Sequence, residues 1–490
     1  MYLRMLLILF VSLYTSRIVL QTLGVEDFGI YNVVGGVVVL FTFINQTLST
    51  ATQRHLSYEL GKNNGKIKEV FSACIKIHIL FSLVIFILSE TLGFWFINTQ
   101  MNFPEDRMHI VNWVYQFSIL GCIINIIRVP YNATIIAYER LSFYAYSGIV
   151  EAGLKLGIVY ILLFINGDKL LGYAILIFIV TFLITIWYIL YCHINFKRIK
   201  IVSGINRKLY IKLLSFSGWT MLGSMASVGH QQGVNMIINI FWGVTVNAAV
   251  GIANQVNGAL TQFVSGFQQA LNPQLVKSEA ANDRERQFDL IYKSSKFSYL
   301  IMLIISVPII ADLDYILKIW LGEYPNHSSG ICVFIIVATL IDCLSSPLIT
   351  SIYATGVIRK YQIIISLILL INIPCAYIAG SIGVRPECIY QIRCITYIIG
   401  YIIRLYFLKQ LIQFKLYGYF NNVLKPIFYV TLLYVIPIML YQNSTDTPQS
   451  LSIFSVEIIL FLIYGCLLTY LVGLTKSERK GIISLIKLKH

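Results

Sequence analysis

The stretch TLGVEDFGIYNVVGGVVVLFTF, residues 22–43, joins two apolar segments through the short polar break LGVEDFG. The break places the acids Glu26 and Asp27 between Gly24 and Gly29, and glycine permits a tight reversal of the chain. Apolar segments of about 20 residues, the length that crosses a bilayer core of about 30 Å, recur along the whole chain. The sequence therefore predicts an all-α membrane protein in which LGVEDFG is the first periplasmic hairpin, with both acids in solvent. The alternative is that the two acids belong to a periplasmic gate that meets the other half of the protein.

The composition agrees with a chain that crosses the membrane many times. Of the 490 residues, 57% are hydrophobic and 12% are charged, against about 25% charged residues in a typical soluble domain. We expect the first span to be retained, because it lacks a small-residue cleavage motif. The loops are short and contain no GxxxxGK[ST] motif, which argues against an ATP-driven pump. The fourteen expected spans are 2–22, 28–52, 70–97, 109–130, 143–166, 169–193, 209–240, 245–272, 296–313, 328–354, 361–382, 389–413, 424–441 and 450–473.

Lys and Arg are concentrated in alternate loops. The loops after the even-numbered spans, together with the C-terminal tail, contain about 25 of them, against about five in the other loops. Because positive charge resists translocation, this asymmetry predicts that both termini are cytoplasmic. Topology and contact with anionic lipid then account for the net charge of +15, so we expect membrane lipids and no nucleic acid as partners. The nine cysteines and seven histidines show no ligand spacing, so we expect no metal site.

The two halves of the chain share an internal repeat. A shift of 219 residues places LGVEDFG on WGVTVNA (242–248), and a shift of 217 places VPYNATIIAYERLSFY (129–144) on SPLITSIYATGVIRKY (346–361). An even number of spans in each half gives a parallel repeat. We therefore expect two six-helix lobes around a central cavity, with two accessory spans and a cytoplasmic tail. The expected limits are 1–200 for the N-terminal lobe, 201–415 for the C-terminal lobe and 416–490 for the remainder.

Polar side chains inside the predicted spans are candidates for the cavity wall. Gln46 lies on a polar face of the second span, and Asn254, Gln255 and Gln262 lie on a longer polar face of the eighth. A row of amides is costly against lipid, so these faces should line water or protein. The alternative is that they form hydrogen bonds between helices.

Charges inside spans are functional candidates by default. Glu151 and Lys155 are four residues apart, so they share a helix face and can pair. Glu151 and Asp342 are candidates for coupling to H⁺ or Na⁺, and no other cofactor is expected. A structural ion pair, snorkelling to the headgroups and a packing histidine are the alternatives. The charged candidates are Arg17, Arg54, Arg128, Glu151, Lys155, His230 and Asp342.

SLYTSRIVLQTLGVEDFGIYNVVGGVVVLF (12–41) and the following STATQRHLSYELG (49–61) resemble the opening of Wzx-type polysaccharide flippases. These proteins belong to the multidrug/oligosaccharidyl-lipid/polysaccharide (MOP) exporter superfamily. The resemblance implies a monomeric transporter, not an enzyme, in the bacterial inner membrane. Its cargo would be undecaprenyl-diphosphate-linked oligosaccharide, moved to the periplasmic leaflet by alternating access for O-antigen and other surface polysaccharides. The resemblance also implies that Arg17 and Arg54 contact the diphosphate, and that a polysaccharide polymerase and a chain-length protein are partners.

Two other functions compete with this interpretation. A small-molecule or drug antiporter of the same superfamily would favour acidic cavity residues for cationic cargo, whereas Arg17, Arg128 and Lys155 favour an anion. A membrane glycan polymerase or ligase would need a sizeable periplasmic loop, and the predicted outer loops are short.

Overall fold

The computed structural model describes residues 42–62, 66–99, 105–196, 207–444 and 451–480, together with residues 103, 199, 201 and 202 and isolated positions between 11 and 34. Every regular element of the described residues is helical. The helices are α1 (Thr42–Leu60), α2 (Ile67–Thr99), α3 (Met108–Ala137), α4 (Leu141–Leu163), α5 (Lys169–Asn195), α6 (Arg207–Ala280), α7 (Arg284–Ala311), α8 (Leu313–Leu321), α9 (Ser328–Thr355), α10 (Arg359–Ile382), α11 (Glu387–Ile412), α12 (Leu416–Gln442) and α13 (Leu451–Gly473).

Ten of the described helices are long and apolar enough to cross a membrane. They coincide with the third to sixth and the ninth to fourteenth predicted spans. The seventh and eighth predicted spans lie together in α6, and most of the first and part of the second fall on residues outside the described ones. The all-helical, multi-pass membrane architecture predicted from the sequence is confirmed.

Two helices are longer than their apolar windows predict. α3 continues past Pro130 to Ala137, although the span was expected to end at residue 130. α7 begins at Arg284, about three turns before the expected start, because the Asp283 carboxylate caps it by accepting a hydrogen bond from the backbone N–H of Arg286 at 3.1 Å. Hydropathy identifies only the apolar part of a helix, so it does not detect a first turn that is charged.

The internal repeat is visible in the helix bounds. α2 and α7 begin 217 residues apart, and α5 and α11 end 217 residues apart. At the same offset, Glu139 and Gly356 have positive φ angles of 59° and 79°, each directly after a helix ends. The second half uses glycine for this left-handed position, whereas the first half strains a glutamate into it.

The repeat includes prolines at equivalent positions inside α3 and α9. The hydroxyl of Thr134 donates to the carbonyl of Pro130 at 2.7 Å, and that of Ser351 donates to the carbonyl of Pro347 at 2.9 Å. Each hydroxyl bonds the carbonyl four residues before it, an arrangement that Ser and Thr commonly adopt inside helices. The two halves thus share a local device as well as their helix order.

α6 is interrupted at one residue. Gly243 has φ 78° and ψ −174°, a conformation that glycine adopts readily and other residues avoid. An added Cβ would meet no atom within 4 Å, so the requirement is conformational rather than steric. Gly243 belongs to WGVTVNA, so the break falls where the repeat predicts the boundary between spans seven and eight.

The chain divides into two compact units, residues 1–225 and 226–490. In the first unit α3 packs on α5 and α1, with Phe71, Ile126 and Tyr188 in its core. In the second unit α9 packs on α11 and α7. The accessory helices α12 and α13 belong to the second unit, where the hydroxyl of Tyr434 donates to the carbonyls of Ile304 and Phe461. The lobe limits drawn from the sequence stay a prediction.

A buried ion pair ties the segment after α13 to α7. Nζ of Lys296 lies 2.6 Å from a carboxylate oxygen of Glu478, and their side chains are only 1% and 8% exposed. The same oxygen accepts hydrogen bonds from the backbone N–H and the hydroxyl of Thr475. Burial alone would raise the pKa of Glu478, but the bonds from Lys296 and Thr475 outweigh it and hold the pKa below its ordinary value.

We predict that Lys296→Met destabilises the protein at pH 7 by about 3 kcal/mol, because it leaves the Glu478 carboxylate buried without its cation. Since the folded pKa of Glu478 is lowered, the pair contributes stability above the unfolded value of about 4.5 and loses it as the pH falls through the folded value. The difference in thermal unfolding midpoint between wild type and variant should therefore shrink in acid.

The matched control is Lys293→Met, which removes a lysine from an exposed pair with Asp289 one turn away. Its unfolding midpoint should stay close to that of the wild type at every pH. An equal decrease of the unfolding midpoint in both variants would show that the buried ion pair stabilises the protein no more than the exposed one.

Candidate functional site

The predicted site residues fall into separate places of the fold. Arg17 lies outside the described residues, and so does the side chain of Gln46 on α1. The remaining candidates are described, and they group into an aromatic cage, an ion-pair cluster and a polar face of α6.

The aromatic cage surrounds Arg54 at the end of α1. Its side chain is 4% exposed, and the guanidinium carbon lies 4.9 Å from the ring centre of Tyr58 and 5.1 Å from that of Phe216. Nη1 also lies 3.1 Å from Nδ1 of His55. The charge of Arg54 therefore faces aromatic rings inside the first unit, where cation–π contacts stabilise it.

The ion-pair cluster lies between α3 and α4. Nζ of Lys155 is 2.8 Å from one oxygen of Glu151, which is the pairing that their spacing predicts. The other oxygen of Glu151 is 3.4 Å from Nη1 of Arg128, and the Arg128 guanidinium also lies over the ring of Tyr188 at 5.5 Å. One carboxylate thus meets two cations, and the cluster has a net positive charge.

This cluster is accessible. The side chains of Arg128 and Glu151 are 21% and 24% exposed, and that of Lys155 is 42% exposed. Because the Lys155 ammonium group has three N–H donors, it can contact an external anion while it stays paired with Glu151. A phosphate group is an anion of the kind that such donors bind.

A cavity of about 240 Å³ lies in the first unit, among α1, α3 and α5. Its wall combines amide and hydroxyl groups with aromatic rings and small apolar residues, a combination that suits sugar hydroxyls and ring faces. Sequence reasoning missed these residues, because isolated Asn and Ser in apolar helices give no pattern. The polar and aromatic members of the wall include Tyr31, Asn45, Phe117, Ser118, Asn125 and Thr181.

An unpredicted ion-pair network involves the acid pair of LGVEDFG. Arg107, in the short turn before α3, donates to both Asp27 and Asp168. The bond to Asp27 is the main reason that the pKa of Arg107 is raised. The expectation that both acids are plain solvated residues is therefore wrong for Asp27, because an arginine from another loop binds it; Glu26 lies outside the described residues.

The polar face of α6 divides between two surroundings. Gln255 and Gln262 are exposed on the second unit, whereas Gln268 is turned inward and donates to the Ser298 hydroxyl and the Cys343 carbonyl. Gln268 fits the hydrogen-bonding interpretation, whereas the cavity-wall interpretation of Gln255 and Gln262 stays a prediction. Asp342, proposed for ion coupling, is exposed on α9.

His230 and Asn254 line a small polar cavity of the second unit together with Arg393. The sequence analysis did not select Arg393 or Arg404, both on α11, although a charge inside an apolar helix is itself a signal. Among the described residues no group of His, Cys, Asp and Glu is placed to hold a metal ion.

No protein-family model matches the chain, and no curated protein matches it in sequence. Solved structures are similar in fold. A multidrug resistance MATE family transporter of the MOP superfamily, in an outward-facing conformation, has a TM-score of 0.70 and 12% identity over 84% of this chain and 94% of its own. A MATE in complex with MaD3S has a TM-score of 0.68 and 13% identity, covering 83% and 94%.

A third similar structure is a MOP superfamily transporter from Pyrococcus furiosus, described as having a binding pocket of reverse polarity that suggests a different function. It has a TM-score of 0.66 and 12% identity over 84% of this chain and 94% of its own. At these identities the comparisons show the fold alone. The chain has the fold of MATE transporters, with two lobes of six helices.

We predict that Glu151→Gln destabilises the first unit by about 1 kcal/mol, because Arg128 and Lys155 then face each other without a carboxylate between them. The loss should appear as a lower thermal unfolding midpoint of the purified protein. Asp289→Asn, which removes the acid of an exposed pair with Lys293, is the control and should leave the midpoint nearly unchanged. Equal midpoints for Glu151→Gln and wild type would contradict the role given to Glu151.

Proposed function

We propose that this protein is a transporter that moves undecaprenyl-diphosphate-linked oligosaccharide across the bacterial inner membrane by alternating access. The observation that carries the proposal is the net positive charge of the cluster formed by Arg128, Glu151 and Lys155 on a fold of transporter type. A diphosphate is a compact anion, and it is best bound by cations that keep unused donors near the surface.

The cavity of the first unit supports the glycan half of this cargo. Its wall combines amides such as Asn45 and Asn125 with the rings of Tyr31 and Phe117. Such a wall offers hydrogen bonds to hydroxyl groups and flat apolar surfaces to sugar rings. The resemblance of residues 12–41 and 49–61 to Wzx-type flippases supports the same cargo and a partnership with polymerase and chain-length proteins. The distribution of Lys and Arg among the loops supports a cytoplasmic position of both termini.

A drug antiporter is the second candidate, since similar structures include multidrug MATE transporters. Site charge discriminates between the two functions, because a cationic drug is repelled where a diphosphate is attracted. The net charge of the described ion-pair cluster favours the anionic cargo. The MOP transporter from Pyrococcus furiosus is a case in which pocket polarity is itself taken to suggest a different function.

Complementation tests the proposal. In a panel of glycan-flippase null strains, each with one polysaccharide pathway, the wild-type gene should restore surface glycan in at least one strain. In that strain Lys155→Ala and Arg128→Ala should lower export at matched membrane expression, because each removes a cation from the cluster. Lys293→Ala, an exposed lysine paired with Asp289, should export normally.

Two results would count against the proposal. Export by Lys155→Ala and Arg128→Ala at the wild-type level would remove the cationic cluster from the mechanism. A wild type that restores glycan in no strain, but lowers the accumulation of cationic dyes, would favour the antiporter.

A further inference from the structure

A second charged site lies in the second unit, away from the cluster at Glu151. The helices α6, α10 and α11 enclose a cavity of about 10 Å³, which is room for one water molecule or one monoatomic ion. Its polar wall is rich in hydrogen-bond donors and contains no carboxylate. The polar lining residues are His230, Gln231, Asn235, Asn254, Asn372, Tyr390 and Arg393.

Arg393 is incompletely satisfied within this wall. Nη2 donates to the hydroxyl of Tyr397 at 2.9 Å, and the guanidinium lies 5.1 Å from the centre of that ring. Nε is buried and has no hydrogen-bond partner among the described residues. A buried donor on a charged group is costly to leave unmatched, so the site has an unmet need for an acceptor.

His230 shows the same deficiency. Its side chain is 5% exposed, and Nδ1 is buried without a hydrogen-bond partner in the described part of the chain. Asn372 is differently placed, because its amide exchanges hydrogen bonds with the Thr396 hydroxyl at 3.0 and 3.1 Å. The Asn372 side chain is therefore hydrogen-bonded to Thr396, whereas Nδ1 of His230 and Nε of Arg393 have no hydrogen-bond partner among the described residues.

The positive charge on α11 exceeds the negative charge that faces it. Arg393 and Arg404 both lie on α11, and both interact electrostatically with the single carboxylate of Asp342. Asp342 is exposed on α9 and forms no salt bridge within the described residues, so it neutralises neither arginine by contact. One acid facing two arginines leaves a net positive charge inside an apolar helical body, where an uncompensated charge is costly.

Arg404 differs from Arg393 in its hydrogen bonding. Its Nε donates to the hydroxyl of Tyr361 at 3.2 Å, and its Nη1 donates to the hydroxyl of Ser345 at 2.9 Å. The side chain is 8% exposed. Arg404 therefore has the same charge as Arg393 and lies on the same helix, but it does not line the cavity. It is a matched control for Arg393.

We propose that this cavity binds a small monovalent anion of the size and charge of chloride. The anion accepts from Nε of Arg393 and from a ring N–H of His230, and it supplies the negative charge that the described carboxylates do not. A water molecule would fill the volume but leave the charge uncompensated, and a metal cation would be repelled by the guanidinium. The site does not depend on the identity of the cargo.

The test uses purified full-length protein in detergent, with thermal unfolding followed at constant ionic strength in sodium chloride, sodium bromide or sodium gluconate. A ligand that binds the folded state raises the unfolding midpoint with its concentration. We expect chloride and bromide to raise the midpoint and gluconate, which is too large for the cavity, to have no effect. Replacing sodium by choline at constant chloride should change nothing.

Variants locate the effect. Arg393→Gln should weaken halide binding by about ten- to a hundred-fold, the loss that corresponds to one charge-assisted hydrogen bond. Arg404→Gln and Lys155→Gln should keep the wild-type halide dependence, although their midpoints without halide can differ from that of the wild type. If Arg393→Gln does not fold, His230→Phe provides the same test, because it keeps an aromatic ring and removes its nitrogen atoms.

Three results would overturn the proposal. A wild-type midpoint that is independent of the anion would show that the cavity holds water only. A midpoint that follows sodium rather than the anion would show a cation site. A halide dependence that survives both Arg393→Gln and His230→Phe would place the anion elsewhere in the protein.

Discussion

The pairing of Glu151 with both Lys155 and Arg128 illustrates the constraint on which this structure depends, namely that a charge inside an apolar helix needs a partner. Other charged side chains are compensated in different ways. Arg54 faces aromatic rings, Lys296 pairs with Glu478, and Arg404 donates to hydroxyl groups. At Lys155 and at Arg393 the positive charge is only partly compensated, so each of these sites can bind an anionic ligand.

The repeat gives both units the same scaffold, so their differences indicate specialisation. The proline and hydroxyl device recurs at Thr134 and Ser351, and the helix bounds recur at one offset. The charged residues of the ion-pair cluster do not recur, because Arg128, Glu151 and Lys155 correspond to Ser345, Ile368 and Asn372 at this offset. The first unit has an accessible cationic cluster and a wider polar cavity, while the second has a small enclosed cavity beside Arg393. We infer that the first unit contacts cargo and that the second supports a bound ion.

Sequence reasoning reached the helical fold and ten of the spans, because hydropathy and helix length are local properties. It also reached the ion pair of Glu151 and Lys155, which one helical turn determines. It missed the bonds from Arg107 to Asp27 and the cavity around Arg393, because these join segments far apart in the chain. It treated the amides of α6 as one row, whereas packing turns Gln268 inward and leaves Gln262 exposed.

Binding of the isolated lipid carrier to the protein in lipid nanodiscs tests the central claim most directly. Undecaprenyl diphosphate should bind, uncharged undecaprenol should not compete with it, and Lys155→Ala should weaken the binding at least about tenfold, as expected for the loss of a charge-assisted contact. Equal binding of the charged and uncharged lipids, or unchanged affinity in Lys155→Ala, would contradict recognition of the diphosphate by the cationic cluster.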